Sequence, residues 1–128
     1  MDIPEELLYS KEHIWARVEN GRAVIGITDF AQEELGTISG IELPEDGDEI
    51  ERDDSIGSIE AHKTVADIYA PFCGTVVSVN QEALDTPSLA NDDPYDGGWL
   101  LEIELSDREE LKTLLSADDY ADYCENSD

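Results

Sequence analysis

Lys63 is the residue of this chain best suited to covalent chemistry. It lies in Gly57-Ser-Ile-Glu60-Ala-His62-Lys63-Thr-Val-Ala-Asp67-Ile-Tyr-Ala-Pro71-Phe-Cys-Gly74. This reads as one alternating strand, a short polar reversal with lysine at its tip, and a second alternating strand closed by a Pro-x-x-Gly turn. The only other lysines are Lys11 and Lys112. A primary amine at such a tip can form a stable amide. On the residue alone, an ordinary solvated tip side chain is the preferred reading. Glu60, three residues before, and Asp67, four after, read as solvated charges on the same terms. His62 is adjacent, but neighbouring residues on a strand point apart, so it is poorly placed to shuttle a proton for Lys63. No Ser/His/Asp set or phosphate loop is present, and no residue is assigned a catalytic role. His13 and His62 have no Cys or His neighbour at ligand spacing, which argues against a metal site.

The elements around this hairpin are mostly short strands. Residues 14–18 and 22–27 flank Asn20-Gly21, a strong hairpin signal. Thr28 or Asp29 can cap a short helix that runs through Glu34 and ends at Gly36. Strands are expected at 38–43, 55–60, 65–69 and 75–79, with a helical turn over 80–85 and a loop over 92–98. In 99–105, Trp99, Leu101, Ile103 and Leu105 share one face and Glu102 and Glu104 the other. Two short helices close the chain. Ser106 with Glu109 forms a capping box for the first, and Ser116 caps the second. Many short strands and no βαβ rhythm predict a compact β sandwich or barrel.

The length suits one domain, residues 1–128 with a core over about 8–123. Apolar residues make up 40% of the chain. No apolar run approaches a membrane span and no signal peptide is evident, so a cytoplasmic protein with no membrane contact is expected. Cys73 and Cys124 are read as reduced thiols. The net charge is −26, with seven basic residues, which excludes nucleic acid as a partner. Acid spread along the whole chain suggests a halophilic protein from a salty cytoplasm. The alternative is a negative field that steers basic partners.

The chain resembles the H-protein family of the glycine cleavage system from about Leu8 to Tyr123. The resemblance rests on Ile25-Gly-Ile-Thr-Asp29-x-Ala31-Gln32, Glu42-Leu-Pro44-Glu-x-Gly47-Asp48, Glu60-x-x-Lys63, Asp67-Ile-Tyr-Ala-Pro71-x-x-Gly74 and Asn91-Asp-Asp-Pro94-Tyr95-x-x-Gly98-Trp99, in family order and spacing. It implies a mainly β barrel-sandwich hybrid of the lipoyl/biotinyl type, with short helices and two C-terminal helices. It implies a non-catalytic carrier with lipoic acid on Lys63. Glu60 would help the lipoyl-attaching enzyme, a lipoyl ligase or lipoyl/octanoyl transferase, to recognise the site. Asp67 matches a family acid close to the arm. An acylated lysine carries no charge, so such an arm enters apolar sites without the desolvation cost of an ammonium.

Three departures from the family pattern surround the arm. Glu-Ser-Val-Lys-Ala becomes Glu60-Ala-His62-Lys63-Thr. Ser-His-Glu-Trp becomes Glu12-His13-Ile14-Trp15. Gly-Asp-Ile-Val-Phe-Val becomes Gly36-Thr-Ile-Ser39-Gly40-Ile41. The family glutamate at position 14 helps hold a cationic aminomethyl group in a surface cleft. Ile14 cannot pair with it, and the cleft is therefore expected to favour an apolar or anionic adduct. Ser39 and Gly40 are expected to reshape the same region. The expectation is an H-like lipoate-binding protein of cytoplasmic sulfur oxidation, serving a heterodisulfide-reductase-like complex. The alternative is a glycine cleavage carrier serving glycine decarboxylase, aminomethyltransferase and dihydrolipoyl dehydrogenase. An unmodified acidic scaffold is a third reading.

Overall fold

A computed structural model describes residues 3–62 and 64–126; Lys63 lies outside the described residues. Among the described residues nine strands form two antiparallel sheets: β1 (Leu8–Tyr9), β2 (Ile14–Glu19), β3 (Arg22–Ile27), β4 (Ile38–Glu42), β5 (Glu49–Ile50), β6 (Ser55–Ala61), β7 (Val65–Tyr69), β8 (Gly74–Val79) and β9 (Leu101–Leu105). The larger sheet has the order β1-β2-β3-β9-β8-β5 and the smaller β4-β6-β7. The helices are α1 (Asp29–Leu35), α2 (Gln81–Asp85), α3 (Leu89–Asp92), a 3-10 helix (Arg108–Thr113) and α4 (Ala117–Asn126). The expected mainly β architecture with helices at the end of the chain is what forms.

Side-chain alternation builds two cores. In β2, Ile14 and Ala16 face the smaller sheet, while Trp15 faces the other way. In β3, Ala23, Ile25 and Ile27 join the inter-sheet core, and Val24 packs behind the sheet. Ile59 and Ile68 complete the inter-sheet core from the arm hairpin. The second core lies under α4 and contains Leu7, Tyr9, Trp15 and Tyr120. Tyr9 and Tyr120 stack with ring centroids 4.6 Å apart. Trp15 Nε1 donates to the Pro94 carbonyl at 2.9 Å, which fixes the indole behind the sheet.

Local signals explain several boundaries. Asn20 and Gly21 both have positive φ, 48° and 82°, as a type I′ turn between β2 and β3 requires. Thr28, not Asp29, caps α1: its Oγ1 accepts from Ala31 N–H at 3.2 Å. Gly36, at φ 76°, ends that helix. Ser116 Oγ accepts from Asp119 N–H, as expected for the cap of α4.

Three expectations need correction. The first C-terminal helix is 3-10, and its cap is Asp107, whose carboxylate accepts from Glu109 N–H at 3.0 Å. A carboxylate one residue later displaced the Ser106 capping box. Trp99 does not share the face of Leu101 and Ile103: it precedes β9 and packs with the second core. Residues 89–92, partly placed in a loop, form α3.

Among the described residues only two ion pairs form, Arg22–Glu102 at 3.9 Å and Lys112–Glu109 at 2.7 Å. The net charge of −26 already counts the seven basic residues, so it stands as negative charge with no cation of the chain to offset it. Screening by salt shortens the reach of this repulsion from about 10 Å at 0.1 M to about 3 Å at 1 M. Thermal unfolding should occur at higher temperature in molar potassium chloride than in dilute buffer. Equal melting temperatures would show that self-repulsion does not limit this fold. No helix among the described residues is long and apolar enough to cross a membrane.

Candidate functional site

The hairpin of β6 and β7 is the base of the site. Its register pairs Glu60 with Val65, Ile59 with Ala66 and Ser58 with Asp67. Ala61 N–H donates to the Thr64 carbonyl at 2.9 Å, joining the two arms at the end of the hairpin. His62 N–H donates to the Thr37 carbonyl, which ties the reversal to the segment before β4. Ladder and ties together give a covalently attached group a restrained base. Val65, 63% exposed, is the one large exposed hydrophobic side chain among the described residues.

One face of this hairpin forms the wall of a cleft of about 360 Å³. Ile59, Ala66, Asp67 and Ile68 come from the hairpin. Glu12, His13 and Ile14 come from the turn into β2, Ile27 from the end of β3, and Phe30, Ala31, Glu34 and Leu35 from α1. The floor is apolar, because the inward positions of β2, β3, β6 and β7 converge there. The rim carries Glu12, Glu34 and Asp67, all exposed. No group of metal-ligating side chains converges among the described residues.

The opposite wall is fixed by α3 and the loop that follows it. Asn91 donates to the Gly36 carbonyl at 2.8 Å and to Gln32 Oε1 at 3.1 Å, and its own Oδ1 accepts from Ile38 N–H at 2.9 Å. Tyr95 Oη accepts from Asp29 N–H at 2.9 Å. Both ends of α1 are thus held, and Glu34 is carried to the rim.

His13 sits between cleft and second core. Its φ of 67° turns the chain sharply, and its carbonyl accepts from Thr28 N–H at 3.1 Å. Its Nδ1 lies 2.7 Å from Tyr120 Oη, which lies 2.7 Å from Thr28 Oγ1. Burial lowers the His13 pKa against the opposing pull of Glu12 and Glu34. Burial likewise pushes the Tyr120 phenol up.

Of the residues singled out in the sequence, His13, Ile14 and Asp67 meet at the cleft, while Glu60 and His62 do not line it. Glu60 is exposed and its carboxylate lies beside Gly40. Asp67 accepts from Tyr69 Oη at 3.3 Å. Ile14 is 2% exposed and is part of both core and cleft floor. Position 14 itself brings no carboxylate to the cleft, as the sequence implies, but Glu12 and Glu34 stand at the rim beside Asp67. Ser39 and Gly40 lie outside the cleft lining. Sequence reading missed Glu34 and Tyr120. Glu34 looked like an ordinary helix-surface acid, and Tyr120 lies 107 residues from its histidine partner.

Comparison with known proteins accords with this geometry. A sequence model of the family described as glycine cleavage H-protein matches residues 7–127. A glycine cleavage system H protein of Listeria monocytogenes serotype 4a (strain HCC23) is 53% identical over 120 residues, covering 94% of this chain and 96% of the relative. One of Oceanobacillus iheyensis is 52% identical, with coverage of 94% and 95%. The crystal structure of a glycine cleavage system H protein from Mycobacterium marinum superposes with a TM-score of 0.85 at 34% identity, covering 94% of this chain and 97% of that one. These names support the glycine cleavage alternative over sulfur oxidation. The chain belongs to the glycine cleavage H-protein family, whose members are lipoyl carriers and not catalysts, with lipoic acid held covalently on a lysine.

Proposed function

We propose that this chain is the lipoyl carrier of a glycine cleavage system, with lipoic acid attached at Lys63. It receives the group from a lipoyl ligase or lipoyl/octanoyl transferase in the cytoplasm. It then serves glycine decarboxylase, aminomethyltransferase and dihydrolipoyl dehydrogenase in turn. The observation that carries the reading is the cleft beside the arm hairpin, apolar in its floor and ringed by Glu12, Glu34 and Asp67.

That lining fits a lipoyl chain. Ile14, Ile27, Phe30, Leu35, Ile59 and Ile68 offer its hydrocarbon a place out of water. The carboxylates suit a cation at its end, such as an aminomethyl group at neutral pH. When bound, the lipoyl group supplies the sulfur that carries the cargo and the thiol–disulfide redox chemistry. The residues of the chain supply position, shelter from water and charge. His13 is held neutral by burial and adds no competing positive charge. An anionic adduct, as sulfur oxidation would place there, meets three carboxylates and is disfavoured. Ile14 brings no carboxylate of its own, and Glu12 and Glu34 supply negative charge at the same rim.

The test is glycine-dependent exchange of labelled bicarbonate by glycine decarboxylase with the lipoylated protein as acceptor. Exchange at a rate typical of a glycine cleavage carrier is expected. Failure to accept the aminomethyl group would refute the reading. Neutralising the rim with Glu12→Gln, Glu34→Gln and Asp67→Asn together should hasten loss of the loaded group. Exposed charge pairs are individually weak, so the effect should be roughly five- to tenfold. Ile14→Glu should bring no gain in retention, because the rim already holds carboxylates.

A further inference from the structure

We propose that Asn91 is a positioning residue that sets the root of the arm against the helical wall of the cleft. Its side-chain amide takes both backbone groups that flank Thr37. Nδ2 donates to the Gly36 carbonyl at 2.8 Å, and Oδ1 accepts from Ile38 N–H at 2.9 Å. A backbone carbonyl only accepts and an N–H only donates, so the orientation of the amide is fixed. The same Nδ2 donates to Gln32 Oε1 at 3.1 Å, and Gln32 Nε2 in turn donates to Asp29 Oδ1 at 2.6 Å. Between the two clamped groups, the Thr37 carbonyl accepts from His62 N–H at 3.1 Å, at the reversal of the arm hairpin. Through Thr37, one amide thus joins the last turns of α1 to the residue before Lys63. Those turns bring Ala31, Glu34 and Leu35 to the cleft.

The β4–β6 register shifts between Ile38 and Gly40, so the ladder alone does not fix this end of β4. Thr37 is exposed, and its bond to His62 competes with water unless the chain on either side is held. The base of the clamp is itself restrained. Ala90 is fully buried, Trp15 Nε1 donates to the Pro94 carbonyl, and Asn80 Nδ2 donates to the carbonyls of Gly97 and Trp99. Asn91 does not line the cleft and acts only on where the arm begins relative to the wall. The β6–β7 ladder does not pass through Asn91, so the hairpin stays intact for the attaching enzyme when the clamp is lost. The clamp follows from this chain's own geometry. Only its effect on the cargo rests on the carrier reading.

Amide hydrogen exchange of the unmodified protein, read residue by residue by NMR, tests the clamp. In the wild type the Ile38 and His62 amides should be protected. An unprotected Ile38 or His62 amide overturns the inference without need of a variant. Asn91→Asp keeps the shape and an acceptor for Ile38 N–H, but sets a carboxylate oxygen against the Gly36 carbonyl and Gln32 Oε1. Exchange at His62 should rise about tenfold, while Ala61, bonded to Thr64 within the hairpin, should change by less than about twofold. Asn91→Ala, which adds no charge, should give the same pattern. His62 exchange that is unchanged in either variant, or raised equally with Ala61, overturns the coupling. Both variants should be lipoylated at the wild-type rate. Loaded with the aminomethyl group, they should lose it about threefold faster. Retention equal to wild type while the His62 amide is loosened overturns the positioning role. Failure of the wild type itself to load overturns the glycine reading, and the exchange data still decide the clamp.

Discussion

Lys63→Arg should abolish lipoylation and all carrier activity while leaving the fold intact. Arginine keeps the positive charge and removes the only amine in the Glu60-x-x-Lys63 setting. The loss is chemical: a guanidinium forms no stable amide with lipoate under the action of a lipoyl-attaching enzyme. The described bonds of the hairpin, from Ala61 N–H to the Thr64 carbonyl and along the β6–β7 register, belong to backbone groups of other residues. No substitute is available nearby. Lys112 pairs with Glu109 at 2.7 Å, and Lys11 lies over the Tyr123 ring at 6.0 Å, both outside the hairpin. Glycine-dependent exchange should fall to background, with an unchanged melting temperature. Residual exchange above background would mean that another residue carries the arm.

Gly57→Ala should produce a large loss of stability. Gly57 lies in β6, where the register with β7 shifts and β4 approaches closely. A methyl group there would collide with the Glu42 carbonyl oxygen and crowd Leu43 Cα at 3.4 Å. Both obstacles are backbone, so no rotamer change relieves them. The cost should be about 3 kcal/mol, at the upper end of overpacking effects. That corresponds to a fall of roughly 10 °C in melting temperature for a domain of this size. Gly40→Ala is the control. Its methyl would meet Glu60 Oε2 at 3.3 Å, the free end of an exposed carboxylate that can swing aside. Gly40→Ala should stay within about 0.5 kcal/mol of wild type. A Gly57→Ala protein as stable as Gly40→Ala would contradict the close approach of β4 to β6.

The arm hairpin, the Asn20-Gly21 turn and the caps at Thr28 and Ser116 were legible because each is specified within a few residues. Strands β1 and β5 were not, for they are two residues long and exist through their pairing, β1 with Trp15 and Ala16 and with Leu115 far along the chain, β5 with Gly74 and Thr75. The 3-10 helix was misread at its cap because Ser106 and Asp107 compete for the same role, and the carboxylate prevailed. The arm motif was plain in sequence, but the cleft was only half legible. Its apolar floor follows from alternation in β2, β3, β6 and β7. Its rim does not, because Glu12, Glu34 and Asp67 come from a turn, a helix and a strand that only the folded chain brings to one edge. Reading position 14 by itself therefore left Glu12 and Glu34 out of the cleft's electrostatics. The hydroxyl chain on His13 was invisible for the same reason, since α4 supplies Tyr120 from the far end of the chain.

The account turns on what is attached to Lys63. Peptide mass mapping of the protein purified from its own lipoate-replete cells measures this directly. A lipoyl mass increment should fall on the peptide that contains Lys63 and be absent from those containing Lys11 and Lys112. Unmodified Lys63 in that material would contradict the carrier function proposed for this chain.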